Sequence, residues 1–269
     1  MSKEVQIAAV LVIYNTKILD CDSYKTLLAS VDFPILIYDN SPNSQEFPSK
    51  PNITYRNNPS NPGVSKAYNE AAKWAKALSC SHLLLLDSDS LFPENAIQEY
   101  LRVAQESVNA LLLPEMKSGN HKISPFYFNY GKSHYGDNIF FGEINLGKIV
   151  AINSGTLIPI RLFDEAGGFN EKLPLDWSDV HFYRKLKKFK PKVIHISLTV
   201  NHGLSEHSNR DLTSAKYRFR VQLKGIKHVS TNFGERLLML FWIKLKALKL
   251  CFHYKTPWFI LHYSRYFYA

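Results

Sequence analysis

The sequence predicts an α/β fold, Rossmann-like, in which a mixed, mainly parallel sheet is flanked by helices and followed by a C-terminal amphipathic helical appendage. Short apolar runs alternate with helical periods over the first two hundred residues, which is typical of such a sheet. Polar or acidic residues directly follow several of these runs, and the excess basic charge is confined to the end of the chain. Ligands of open parallel sheets bind beyond the carboxyl ends of the strands. We therefore expect a binding site at that edge.

The first half of the chain supplies most of the predicted parallel strands. Residues 5–13 form an apolar run of strand length, and the four leucines at 83–86 are too few to cross a membrane, so they predict a central strand buried on both faces. The loop at 57–63 is rich in Asn and Pro, which indicates a turn. The remaining elements predicted here are strands at 34–38 and 53–55 and helices at 21–31 and 64–78.

The second half of the chain is less regular. Residues 117–142 are polar and aromatic with weak periodicity, so no element is predicted there. Paired glycines at 167–168 predict the end of a short helix. The elements predicted in this half are strands at 110–113, 149–152, 155–158 and 192–198 and helices at 162–166 and 178–189.

Length, cysteine usage and the N-terminus limit the class of protein. A chain of 269 residues with 45% hydrophobic content can bury a full core. Its three cysteines lie far apart, which argues against a disulfide framework or a zinc cage and favours a reducing compartment. The N-terminal run lacks a basic start and a cleavage site, so no signal peptide is predicted.

The charge distribution predicts two parts, residues 1–209 and residues 210–269. The second part holds 12 of the 33 Lys and Arg but 2 of the 23 Asp and Glu, and so carries the whole net charge of +10. Lysines at 244, 246 and 249 interrupt its apolar run at 235–252, which argues against a spanning helix and predicts a basic amphipathic helix on a membrane surface. The alternative is a helix packed on the body or a dimer contact. A nucleic-acid partner is not expected, because the basic region is apolar and the body neutral.

The most informative motif is Asp87-Ser88-Asp89, directly after the leucine run. Two carboxylates one residue apart can hold one hard divalent cation, Mg²⁺ or Mn²⁺, with positions left for phosphate oxygens. Such a cation stabilises the charge that develops on a diphosphate leaving group. A solvated turn is the alternative for a bare Asp-Ser-Asp.

Taken together, the motifs resemble the inverting family 2 glycosyltransferases, which have the A-type nucleotide-sugar fold, and within them a rhamnosyltransferase-like branch. They occur in the family's order over roughly residues 5 to 205. The matching segments are VLVIYN at 10–15, IYDNS at 37–41, NPGVSKAYN at 61–69, LLDSD at 85–89, NSGTL at 153–157, GGFNE at 167–171, DWSD at 176–179 and NH at 201–202.

The resemblance implies a donor site and a metal site. Asp39 would hydrogen-bond the uracil or thymine ring, with Tyr14 against that base, although an Asx-turn is an equal alternative for Asp39. Gly63 could instead simply let the chain enter the following helix. His202 would complete the metal site with its imidazole, or be structural. The implied donor-binding residues are Tyr14, Asp39, Asn61, Gly63, Asn69, Asp87 and Asp89, and the implied metal ligands are Asp87, Asp89 and His202.

The resemblance also implies a general base and an acceptor site. Inverting transfer needs a base for the acceptor hydroxyl, and Asp179 matches it. Ser178 stands where the family often has an acid, so Asp176 remains a rival, and either carboxylate could merely cap the helix. Trp177 could stack on an acceptor sugar or be part of the core. The implied acceptor-binding residues are Asn153, Ser154, Gly155 and Trp177.

These expectations combine into one functional hypothesis. The chain would transfer a sugar, with rhamnose the first candidate, from a dTDP- or UDP-sugar to a glycan or lipid-linked glycan acceptor. This reaction would serve bacterial-type surface polysaccharide synthesis on the cytoplasmic face of the membrane. A nucleotidyltransferase is one alternative, but the N-terminus has no Gly-rich basic loop for a triphosphate. A nucleotide-sugar or membrane-binding module without catalysis is the other.

Overall fold

The computed structural model describes residues 5–46, 50–135, 138–203 and 211–266. The predicted boundary between residues 209 and 210 and the last aromatic residues of the tail lie outside these ranges. The strands are β1 (Ile7–Ile13), β2 (Ile35–Asp39), β3 (Ile53–Asn57), β4 (His82–Asp87), β5 (Ser90–Leu91), β6 (Leu111–Ser118), β7 (His121–Ser124), β8 (Phe126–Asn129), β9 (Lys132–His134), β10 (Gly142–Ile144), β11 (Ile149–Val150), β12 (Leu157–Pro159) and β13 (Val193–His202). The helices are α1 (Asp22–Thr26), α2 (Val64–Ala77), α3 (Ala96–Glu106), α4 (Ile160–Glu165), α5 (Ser178–Leu186), α6 (Leu212–Val229), α7 (Phe233–His253) and α8 (Trp258–Arg265).

The predicted mixed, mainly parallel sheet is confirmed. Its main path runs β10-β13-β6-β12-β4-β1-β2-β3, with β5 paired to β13 and β7 paired to β6. Strands β3, β2, β1 and β4 run parallel to one another, and β13 runs parallel to β6, whereas β12 lies antiparallel between β4 and β6. The leucine run forms β4 in the centre and is completely buried. A second, antiparallel sheet has the order β11-β8-β9.

The register of the parallel strands brings the predicted carboxylates to one edge. Ile13 at the end of β1 pairs with Asp39, and Val12 pairs with Asp87 on the other side. Both acids therefore flank the carboxyl end of β1, directly before Tyr14. This confirms the expected meeting of Tyr14, Asp39 and Asp87.

The helix predicted at 21–31 is only partly formed. The chain forms the short α1 between two 3₁₀ turns, Ile18–Asp20 and Leu28–Ser30. Side chains of this segment bind a different part of the chain: the Ser23 hydroxyl donates to the Asp87 and Ser90 carbonyls, and Thr26 Oγ1 accepts from the Phe92 N–H. These contacts fix the segment against residues 87–92, and a longer regular helix is not formed.

The stretch at 117–142 contains strands, although its periodicity predicted none. It forms β7, β8, β9 and the start of β10, whose short lengths and tight turns hide the alternation that a sequence pattern needs. Strand β13 also continues four residues beyond the predicted end at 198, because residues 201–202 pair with β5. The predicted helix at 235–252 agrees with α7.

Two apolar cores lie on opposite faces of the sheet. Helices α1 and α3 contribute to one of them, and α2 and α4 to α8 contribute to the other. The C-terminal helices thus bury residues in the same core as the sheet, and these residues include Phe219, Leu223, Met239, Ile243 and Phe259. In the described parts of the chain, no helix has both the length and the apolar character that crossing a membrane requires.

Candidate active site

The acidic motif and His202 form a cluster suited to a divalent cation. One ligand atom each of Asp87, Asp89 and His202 lies within 4.8 Å of the others. The His202 Nδ1 lies 3.4 Å from Asp89 Oδ1, and the Tyr68 hydroxyl donates to Asp87 Oδ1 at 2.9 Å. Burial, together with the like charge of Asp87, raises the pKa of Asp89 to about 6, against the effect of His202. Two carboxylates and an imidazole fit Mg²⁺ or Mn²⁺, whose charge would favour ionised Asp89.

A two-residue strand positions His202 beside the acids. Strand β5 follows Asp89 at once, and its Ser90 pairs with His202 in an antiparallel bridge. The Ser90 hydroxyl contacts His202 Nδ1 at 2.8 Å and the Ser154 hydroxyl at 2.8 Å, and Ser154 Oγ accepts from the Asp87 N–H at 3.0 Å. Ser154, an expected acceptor-binding residue, therefore holds the backbone of Asp87 and the side chain of Ser90 in place. This buried network fixes the imidazole and the acidic loop relative to each other.

Asp176 and Asp179 have different surroundings despite their close spacing. Arg218 Nε on α6 donates to both Asp176 oxygens, at 2.8 and 3.2 Å. Asp179 lies in the first turn of α5, and its carboxylate accepts the Val180 N–H at 2.7 Å. Burial is the main cause that raises the pKa of Asp179 to about 6, and the neighbouring Asp176 acts in the same direction. Asp179 therefore has a pKa suited to a general base near neutral pH, whereas Asp176 is committed to an ion pair.

One open pocket of about 390 Å³ connects these groups. Asp87 and His202 line it together with Asp176 and Asp179. Two residues of the candidate metal site and the candidate base Asp179 therefore border the same pocket. Residues of α6 and α7 complete the wall. These are Arg218, Gln222, Met239, Trp242, Ile243 and Lys246.

Trp177 packs on the core and also lines the pocket, and its stacking on an acceptor sugar stays a prediction. Its backbone is left-handed, with φ of 69°, and its indole Nε1 donates to the Gln222 carbonyl at 3.0 Å. A Cβ at Gly225 would lie 2.8 Å from the indole Cδ1, so α6 needs a glycine at this position to approach it. The indole is therefore fixed between α5 and α6 at the edge of the pocket.

The polar turn at 153–155 is only partly in the pocket. Asn153 lines it, is buried, and donates to the Ser178 hydroxyl at 3.3 Å, while its Oδ1 has no partner among the described residues. Gly155 has φ of +80° and packs against Pro114 and Tyr100, and its N–H donates to the Leu85 carbonyl at 2.7 Å. Gly155 thus joins β4 to the turn. The acceptor-binding roles of Asn153, Ser154 and Gly155 stay predictions.

Asp39 forms the predicted Asx-turn. Its carboxylate is completely buried and accepts from the Ser41 N–H at 2.8 Å, the Tyr55 hydroxyl at 2.7 Å and the Gln45 amide at 3.1 Å. Burial opposes ionisation, but these hydrogen bonds lower the pKa of Asp39 below its ordinary value. Tyr14 is exposed beside this turn. Neither residue lines the pocket, and their donor-binding roles stay predictions.

The other expected donor-binding residues lie on or before α2, and two of them contact the segment that precedes α5. The Asn69 amide accepts from the Phe169 N–H at 2.8 Å and donates to the Phe169 carbonyl at 3.0 Å. A Cβ at Gly63, whose φ is +88°, would lie 2.1 Å from the Pro174 carbonyl oxygen. Asn61 has a left-handed backbone in the loop before Gly63. These contacts give Gly63 and Asn69 a structural role, and donor binding by them stays a prediction.

Several pocket residues were not identified from the sequence. Tyr68 is fully buried, and the nearby carboxylates Asp87, Asp179 and Asp89 add to the effect of burial in raising its pKa. Tyr68 lies on α2, whose alanine-rich apolar period predicted only that this side of the helix is buried. Gln222 and Trp242 come from the basic tail, where charge and apolar content dominate the pattern. Their position in the pocket could be predicted only from knowledge of a contact between the tail and the body, such as the Arg218–Asp176 ion pair.

The fold is the mixed α/β fold of the A-type glycosyltransferases, with additional C-terminal helices. Solved structures with this fold are similar to the chain. One titled crystal structure of GalNAc-T7 with UDP, GalNAc and Mn²⁺ has a TM-score of 0.55 at 12% identity, over 75% of this chain and 44% of that one. Another, S. aureus TarS 1–349, has a TM-score of 0.54 at 16% identity, over 87% of this chain and 68% of that one.

A third similar structure is S. aureus TarS 1–349 in complex with UDP-GlcNAc, with a TM-score of 0.52 at 16% identity over 89% of this chain and 72% of that one. Residues 35–164, just under half of the chain, match the family described as Glycosyl transferase family 2. No curated protein matches the sequence significantly. The chain spans less than half of the GalNAc-T7 chain.

Proposed function

We propose that the protein is an inverting glycosyltransferase that moves a sugar from a nucleoside diphosphate donor to an acceptor hydroxyl. One observation carries the proposal: Asp87 and His202 of the cluster with Asp89 line the same pocket as Asp179, whose carboxyl has a raised pKa. The match of residues 35–164 to family 2 and the similar structures that contain UDP support it.

The residues have distinct roles in this proposal. Asp179 accepts the proton of the acceptor hydroxyl as that oxygen attacks the anomeric carbon. Bound at Asp87, Asp89 and His202, Mg²⁺ or Mn²⁺ would stabilise the charge that develops on the diphosphate. Asp176, through its ion pair with Arg218, holds the loop before α5 and is not the base. Trp177, in the wall of the pocket, contacts the acceptor sugar.

The donor is a UDP- or dTDP-sugar in this proposal. Rhamnose is the first sugar to test because of the motif resemblance alone, and GlcNAc and GalNAc are included because similar structures contain them. The proposed acceptor is a glycan or a lipid-linked glycan of a bacterial-type surface polysaccharide.

A donor panel tests the proposal directly. Release of nucleoside diphosphate is measured for each sugar nucleotide, with Mg²⁺ or Mn²⁺ and with a chelator. We expect one donor to be used, Asp89→Ala to lose nearly all turnover, and Asp179→Asn to lose turnover while it still binds the donor. Metal-dependent donor binding without turnover would indicate a binding module, and release of pyrophosphate from a triphosphate would indicate a nucleotidyltransferase.

We also propose that the protein lies on the cytoplasmic membrane surface through α7. Leu238, Phe241, Leu245, Leu248 and Phe252 are exposed along one face of this helix at spacings of three and four residues. At 100° per residue, Lys244 and Lys249 lie on either side of that stripe. An apolar stripe with flanking lysines fits the headgroup region of an anionic bilayer.

Surface substitutions test this attachment better than truncation. A truncation before Glu235 would also remove buried core residues of α7, among them Met239 and Ile243. The double variant Phe241→Ser/Leu245→Ser should instead reduce sedimentation with anionic vesicles. Its matched control, Leu19→Ser/Leu78→Ser, removes two exposed leucines far from α7 in sequence and should sediment as the wild type does. Equal sedimentation of all three proteins would refute the attachment.

A further inference from the structure

A second cavity lies beside the catalytic pocket and has no role in the proposed chemistry. Its volume is about 620 Å³, which is within the range of small-molecule sites. Phe128 lines both this cavity and the catalytic pocket. We call it the lysine cavity. Its lining includes Tyr130, Lys148, Lys187, Asn232, Leu237 and Leu238.

The charge of the lysine cavity is positive and uncompensated. Of the described residues that line it, Glu235 alone is acidic, and its carboxylate is taken up by Arg184 in a buried ion pair. Lys148 and Lys187 are exposed, and neither ammonium forms an ion pair within the described ranges. Asn232 and Thr231 are already bound to Glu235 and to each other. The two lysines are therefore available for an anion.

The other part of the lining is apolar and open. Leu237 and Leu238 of α7 and Tyr130 are all exposed although they border the cavity. Leu238 also belongs to the exposed stripe of α7. An occupant with an anionic head and an apolar body would satisfy both parts of the lining.

We infer that the lysine cavity binds the phosphate headgroup of a lipid, with the ammonium groups of Lys148 and Lys187 on the phosphate and the apolar body along Leu237 and Leu238. This inference deepens the proposed function, on which its biological meaning rests, because it places an anionic lipid next to the catalytic pocket. Helix α5 and the 3₁₀ turn after it join the two sites, because Asp179 lies in the first turn of α5 and Lys187 directly follows its last residue. At the rise of an α-helix the eight residues between them span roughly 12 Å.

Binding of a soluble short-chain lipid tests the inference. The probe is dihexanoyl phosphatidic acid below its micelle concentration, measured by calorimetry, with dihexanoyl phosphatidylcholine and inorganic phosphate as comparison ligands. We expect Lys148→Ala/Lys187→Ala to weaken phosphatidic acid binding by about 10-fold or more. Lys188→Ala/Lys227→Ala removes the same charge from exposed lysines outside the cavity and should leave binding unchanged.

The apolar part has its own variant, Leu238→Gln, which should weaken phosphatidic acid binding without affecting thermal stability. If the two double-lysine variants lost equal affinity for phosphatidic acid, the binding would reflect the general positive charge of the surface, and the inference would be overturned. Equal affinity for phosphatidylcholine, or for inorganic phosphate, would overturn it as well. Donor turnover is measured in parallel: the lysine-cavity variants should keep donor hydrolysis, so failure of the donor panel and failure of lipid binding are separate results.

Discussion

Replacing Asp179 with Asn should stabilise the protein while it removes activity. The change keeps the size of the side chain and an oxygen that can accept the Val180 N–H, but it removes a negative charge that burial disfavours. Burial, with Asp176 in the same direction, raises the pKa of Asp179 from 3.8 to about 6. Each pKa unit corresponds to 1.36 kcal/mol, so ionised Asp179 lowers the free energy of unfolding by about 3 kcal/mol.

The sign of this effect depends on pH. The folded protein holds the Asp179 proton more tightly than the unfolded chain, so the stability that this proton provides is fully present below pH 3.8 and is lost as pH rises through about 6. Asn is neutral throughout. The advantage of Asp179→Asn over the wild type should therefore be small near pH 4 and reach about 3 kcal/mol at pH 7.5.

Urea unfolding of both proteins at several pH values, with a chelator present, measures this difference. Asp176→Asn is the matched control, because it removes a carboxylate that is ion-paired with Arg218 and should cost roughly 1 to 3 kcal/mol. The reasoning is refuted if Asp179→Asn is neutral or destabilising at pH 7.5, or if its advantage does not change with pH.

Three further predictions concern the site and its support. Turnover should fall below pH about 6 as the Asp179 carboxyl takes up a proton, and a flat pH profile down to pH 5 would assign the base elsewhere. Ser90→Ala removes the hydroxyl at His202 Nδ1 and should weaken Mn²⁺ binding about 10-fold or more in a titration; unchanged affinity would show that Ser90 does not orient the imidazole. Gly63→Ala should cost roughly 1 to 3 kcal/mol in urea unfolding, because its Cβ meets the Pro174 carbonyl, and wild-type stability would contradict that crowding.

The sequence predicted the site best where the functional residues directly follow an element that has a clear local pattern. The leucine run could be recognised as a central strand because burial on both faces leaves an unbroken apolar sequence, and the acids after it then had to lie at the carboxyl edge. The position of Asp87 beside the end of β1 follows from that logic and agrees with the register. His202 came from motif resemblance, and the pairing of β5 with β13 gives the physical reason for its place.

The sequence was least informative where contacts are long-range. Gln222 and Trp242 enter the pocket from α6 and α7, far in sequence from Asp87, and helix periodicity does not indicate what a helix faces. The helix predicted at 21–31 is shorter in the structure for a similar reason, because Ser23 and Thr26 bind residues 87–92. Tertiary contacts of this kind override local propensity.

The pairing of Ser90 with His202 joins positions separated by 112 residues. Closure of so long a segment is entropically costly, and the cluster is complete only when β13 has docked beside β6. A cation that binds all three side chains therefore binds only states in which β13 is in place. Its binding should stabilise the native protein relative to states in which β13 is undocked, so divalent ions would act on the stability of the fold as well as on its chemistry.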